Sequence, residues 1–160
     1  MISHNLRIVI VATAIGAATT GGVFFAFSAF VMKALKRLPD PAGVAAMQSI
    51  NRAAPSPLFM IALFGTAASA VGLGVVAIQR REDPYSIYLL IGAGLYLAGV
   101  ILTIAYHIPR NNALDLVDPM SSDAAETWHR YVTNWTLWNH VRTLTSIAGA
   151  ATFVLALNAD

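Results

Sequence analysis

Four long stretches without a charged side chain, at residues 8–32, 53–79, 84–109 and 143–159, limit what this chain can fold into more than any other feature. A helix that crosses a bilayer needs about 20 apolar residues, with a range of about 17–25, so each stretch is long enough for one span. The fourth, at seventeen residues, is the shortest. Hydrophobic residues make up 57% of the chain and charged ones 11%, where an average soluble protein has about 45–50% and about 25%. In hydrocarbon every backbone N–H and C=O must find its partner inside the protein, which favours helices for stretches of this length. The expected fold is an all-α membrane protein: one domain over residues 1–160, built as a four-helix antiparallel transmembrane bundle. Its spans fall near 6–32, 58–79, 86–107 and 140–158, with additional interfacial helices in the first and third loops.

Cysteine is absent, which removes disulfides, thiolate metal sites and a cysteine nucleophile. The net charge of +2 is small and spread over loops beside the membrane, where lysine and arginine are expected anyway, so it implies no nucleic acid partner. The first residues resemble a signal peptide, yet their apolar stretch exceeds the usual core of about 7–15 residues, and they are read as the first span.

Along the chain, Gly16, Thr20 and Gly21 in span one and Gly65, Ser69 and Gly72 in span two give edges of small residues, which let helices approach closely in lipid. Leu38-Pro39-Asp40-Pro41 must end the first helix, because proline disfavours helical geometry in the residue before it. A short helix should follow over roughly residues 42–54. Span three places Gly92, Tyr96, Gly99, Thr103 and Tyr106 on one inward stripe, and the sequence from His107 to Asn112, with Pro109, is expected to end it. Ser121 or Ser122 should cap a final helix that enters span four, with a bend expected near Asn139.

Four spans bring the loops at 33–55 and 108–139 to one membrane surface, opposite the termini. That side holds seven of the ten lysines and arginines, a weak argument for its facing the cytoplasm of a bacterium. Trp128, Tyr131, Trp135, Trp138 and Arg142 follow at steps of three, four, three and four, one helical face at that surface. Aromatic belts are common at membrane interfaces, but a single face ending in an arginine suits the wall of a pocket for a flat apolar ligand. Arg142 at the rim of a span calls for a partner or an anion, and Asn139 and His140 stand beside it. His140 is a candidate general base. Asn51 and Asn111 end or begin spans on the same side and should join this cluster, in a cavity lined by Trp135, Trp138, Tyr106 and Phe27. No histidine pair has the spacing of helical metal ligands, and no metal is expected.

The motifs FFAFSAFVMKAL at 24–35, AMQSIN at 46–51, IPRNNAL at 108–114 and W-x2-Y-x3-W-x2-WNHVRT at 128–143 resemble the anthrone oxygenase-like family. Its characterised fungal members are small membrane proteins that oxidise an anthrone to an anthraquinone. The resemblance implies no required cofactor and a small, flat aromatic substrate. It further implies chemistry in which His140 removes the acidic methylene proton, Asn139 and Arg142 stabilise the anion, and the aromatic face holds the rings. The alternative is a non-enzymatic four-helix partner or assembly protein. Association into a homo-oligomer stays open.

Overall fold

The computed structural model describes residues 2–159, and these form five helices with no strand among them. Helix α1 runs His4–Leu35, α2 Asp40–Ala53, α3 Pro57–Gln79, α4 Ser86–Asp115 and α5 Ala124–Ala156. Their starts follow local chemistry. The Ser3 hydroxyl accepts from the Leu6 N–H, and the Ser56 hydroxyl accepts from the Phe59 N–H with Pro57 directly after the cap. Pro41 sits in the first turn of α2, where its missing N–H costs nothing. The tight α3–α4 connection is closed by the buried Tyr85, whose hydroxyl donates to Asp83 at 2.8 Å and accepts from Arg80 at 3.3 Å.

Helices α1, α3 and α4 are long and apolar enough to cross a membrane. Helix α5 has the length, at 33 residues, but carries Asn139, His140 and Arg142 in mid-course. It lies along both α1 and α4, while α3 packs on α4 and meets α1. Close approach is enforced where α4 and α5 cross: a Cβ added at Gly149 would lie 3.1 Å from the Gly92 carbonyl oxygen, and one at Gly92 would strike the Phe153 ring. Around this crossing lies one core, with Leu73, Leu89, Tyr96 and Phe153; a second, with Met32, Val44, Met47, Leu114, Trp128 and Trp135, joins α2 to the other end of the bundle. Gln48 ties α2 down by donating to the carbonyls of Leu114 and Val117, at 3.0 and 2.8 Å.

Several sequence expectations change here. Of the expected edge of α3, Ser69 meets α1, its hydroxyl 2.6 Å from that of Thr13, but Gly65 and Gly72 are exposed, with open space around Gly72, and the buried edge is Thr66, Ala70, Leu73 and Ala77. Helix α4 does not stop at His107 but continues to Asp115. Helix α5 begins at Ala124 with Asp123 at its cap, Ser121 being bonded into the preceding turn, and passes Asn139 as unbroken α-helix.

The passage through Pro109 has a physical cause. Proline offers no N–H and its ring would clash with the carbonyl four residues back, so the preceding turn widens. Thr103–His107 is a π-helical turn. Two more such turns occur, at Phe27–Val31 in α1 and Ile61–Gly65 in α3. In or beside each, a backbone carbonyl meets a buried side chain: Asn139 donates to Phe24 O at 2.8 Å, Tyr96 to Leu63 O at 3.0 Å, and His107 Nδ1 lies 3.3 Å from Leu102 O.

Candidate functional site

All three π turns open onto one cavity of about 620 Å³, within the range of about 300–1,000 Å³ usual for small-molecule sites. Phe24 and Phe27 of α1, Phe59 and Leu63 of α3 and Trp135 of α5 supply apolar wall. Polar groups enter at chosen points: Thr103, His107 and Asn111 from α4, Asn51 from α2 and Arg142 from α5. A π turn admits one residue more than an α turn, and this decides which side chains face the cavity.

Arg142 is the centre of the arrangement. It is 6% exposed, its Nε donates to Asn139 Oδ1 at 2.9 Å, and its Nη1 lies 3.4 Å from the Thr103 hydroxyl. Asn139 is fixed in turn, its Nδ2 donating to Phe24 O and, at 2.7 Å, to the Ser28 hydroxyl. The guanidinium carbon stands 4.1 Å from the centre of the Phe24 ring and 4.9 Å from that of Trp135, so aromatic faces cover the cation. Among the described residues no carboxylate pairs with it; Asp115, which also lines the cavity, bonds Arg52 at 3.3 Å. A buried charge without a counter-ion is costly. The site is therefore built to receive negative charge or a strong acceptor.

His107 is fully buried, edge-on to Trp135 with ring centres 5.1 Å apart. A hydrogen bond to Leu102 O, which can only accept, places a proton on Nδ1, and in that tautomer Nε2 is the lone-pair nitrogen; the backbone carbonyl of Trp135 also stands near the ring. Among the described residues Nε2 completes no hydrogen bond.

Asn111 is oriented just as firmly. The indole N–H of Trp135 donates to its side chain at 2.8 Å, and an indole nitrogen cannot accept, so the atom facing it is Oδ1. The Tyr131 hydroxyl donates to the same oxygen at 2.9 Å. Burial pushes the Tyr131 phenol far above the ordinary range, so it keeps the proton it donates. The Asn51 Nδ2 is buried beside that phenol without completing a hydrogen bond.

Of the residues singled out in the sequence, the fold brings Phe27, Asn51, Asn111, Trp135 and Arg142 to the cavity wall. Asn139 and Tyr131 stand behind that wall, holding Arg142 and Asn111. Trp128 is fully buried in the second core against Gly43, stacked on Tyr131. Trp138 is 41% exposed and rests on Tyr106, away from the cavity. His140 is exposed on the outer side of α5 and lines no part of the cavity, and the position expected of it is held by His107. Likewise Tyr106 gives way to His107 on the inward stripe of α4, because the π turn advances the register by one residue. His129 pairs with Asp40 at 3.4 Å on the surface, and no group of three histidine, aspartate or glutamate side chains gathers among the described residues.

These features define a class: an all-helical protein, with helices able to cross a membrane, enclosing an apolar cavity around a buried arginine. Residues 57–152 match the family model described as Anthrone oxygenase, and the chain belongs to that family. The matched segment spans α3, α4 and most of α5, and so includes His107, Asn111, Trp135, Asn139 and Arg142. No curated protein and no solved structure matches the chain.

Proposed function

We propose that the chain is an integral membrane protein of four antiparallel spans, with α5 as the fourth, and that it is an oxygenase acting on an anthrone-like or other flat hydroxyaromatic substrate without an added cofactor. The observation that carries this reading is the uncompensated Arg142 guanidinium inside an apolar cavity whose size suits fused aromatic rings. The family supports it. The methylene of an anthrone is acidic because its anion places charge on the ring ketone oxygen and makes the central ring aromatic. His107 Nε2 takes that proton, and Arg142, held by Asn139 and Thr103, stabilises the oxyanion. The carbanion carbon then bonds to molecular oxygen, and protonation gives a hydroperoxide. Loss of the second C–H proton with cleavage of the O–O bond leaves a carbonyl. One oxygen atom remains in the quinone and the other departs as water, so the substrate and molecular oxygen balance the reaction.

The test is aerobic turnover by the purified protein on a panel of anthrones, following quinone formation and oxygen uptake against spontaneous oxidation. The expected result is equimolar consumption of oxygen and substrate, with His107→Gln slower by about a hundredfold, as for a lost general base. A rate no faster than the spontaneous one across the panel removes the enzyme reading and leaves the alternative of a non-enzymatic partner or assembly protein. Single cysteines at Ala45 and Ala125 should label from the same side of the membrane; labelling from opposite sides overturns the four-span topology.

A further inference from the structure

We propose that the cavity opens sideways into the bilayer, between the beginning of α3 and the end of α4, and that its apolar ligand enters from the lipid through this gap. The inference rests on the four-span and oxygenase readings and adds where the substrate comes from. Three of the four seams around the cavity are closed by direct contacts. Asn139 joins α5 to α1 at Phe24 O, and Trp135 joins α5 to α4 at Asn111. The Phe59 ring of α3 meets the Phe24 ring of α1 edge-on, with centres 6.4 Å apart. The fourth seam differs. Helices α3 and α4 pack together over Thr66–Gln79 and Ser86–Leu102, and the Tyr96 hydroxyl ties them at Leu63 O. Past that tie, among the described residues, no hydrogen bond or ring contact joins residues 57–65 of α3 to residues 103–115 of α4. Both helices carry a π turn at this level, Ile61–Gly65 and Thr103–His107, and such a turn deflects the helix axis.

The two sides of the gap have the chemistry of a mouth that faces hydrocarbon. Phe64 of α3 and Ile108 of α4 both line the cavity and are still 41% exposed, so each stands at its rim. Leu58, Ile61 and Ile104 flank them, all apolar and exposed, as suits side chains that touch acyl chains. The loop end of the cavity is covered in another way. The last turn of α2 lies there, with Ile50 and Asn51 in the wall, and the ion pair of Arg52 with Asp115, at 3.3 Å, bridges α2 to α4. An apolar aromatic solute concentrates in the bilayer because water rejects it. A lateral mouth therefore meets the ligand where it is most abundant, and spares it a passage through water past a charged pair.

Because the chain has no cysteine, one introduced at the gap can be blocked with a bulky benzyl methanethiosulfonate and unblocked by a reductant. The full-length protein in lipid nanodiscs is mixed rapidly with anthraquinone, and binding is followed by quenching of tryptophan fluorescence. The block on Phe64→Cys or Ile108→Cys is expected to slow association and release together by about tenfold, with Kd held within about twofold. Reduction should restore both rates. The same block on Val75→Cys, exposed on the packed half of α3, should change neither. Bimane attached to Phe64→Cys or Ile108→Cys should be quenched by spin-labelled lipid and not by aqueous iodide. Unchanged rates at both gap positions, or a block there that weakens affinity without slowing association, overturns the portal and leaves the oxygenase reading intact. So does quenching by iodide, or slowing only when the block sits on Ala53→Cys at the loop end. No binding of anthraquinone, together with no anthrone turnover, overturns both.

Discussion

The two ends of the bundle are built on opposite principles. Where α4 crosses α5, the chain uses regular α-helix, small residues and a dry core: Gly92 and Gly149 bring backbones into contact, and Phe153 fills the space beside them. Further along, about two turns on α5 and three on α4, the same helices separate around a cavity, and three of the helices that line it have widened into π turns. There the buried groups are polar, and some have no partner. The difference teaches how so small a protein divides its work. One end secures the fold through packing, and the other gives up packing to hold cationic and amide donors in an apolar enclosure.

The contrast is broken most sharply at Arg142. Arg142→Ala is expected to lower turnover by about a hundredfold or more, the scale for removing a donor aimed at developing charge, while thermal stability changes little. Lysine should restore only part of the rate, because it lacks the planar fork that bonds Asn139 and Thr103 together. An alanine variant with full activity would take Arg142 out of the chemistry.

At the packed end the reverse pattern is expected. Gly149→Val adds carbon where even a Cβ lies 3.1 Å from the Gly92 carbonyl oxygen. Overpacking of this kind costs about 1–3 kcal/mol, visible as a lower melting temperature, with activity per folded molecule preserved. If stability held and turnover fell instead, the division between the two ends would be false.

The smallest effect is expected from His140→Ala. That side chain is exposed and outside the cavity wall, so stability and rate should both stay within about twofold of the parent, as for other surface positions. Comparison of initial rates for this variant and His107→Gln separates the two histidines directly. A loss at His140 as large as that at His107 would return the base to α5.

How far the sequence spoke depended on periodicity. The long apolar helices, the short helix after the first turn and the inward face of α5 through Trp135 and Arg142 all follow from spacing at 3.6 residues per turn. Arg142 stood out because an arginine beside a long apolar run needs a reason, and Asn51 and Asn111 because amides at that depth do. His107 was legible only as a residue near the end of a span. Each π turn shifts the register by one position, and a count that assumes uniform helix selects Tyr106 in its place. Pro109 was the available signal: a proline that does not end its helix must be accommodated by a distortion in the turn before it. Trp138 and Asn139 differ by a single position on α5, and only the packing of α1 against that helix decides that Asn139 is buried.

The capture of a backbone carbonyl at each π turn also bears on inheritance. Asn139, Tyr96 and His107 each serve a bend in the chain as well as the space beside it. The cavity is not a set of side chains that could be grafted onto any straight helical bundle. A descendant protein can vary the apolar wall, but the bends and the three side chains that hold them must pass on together.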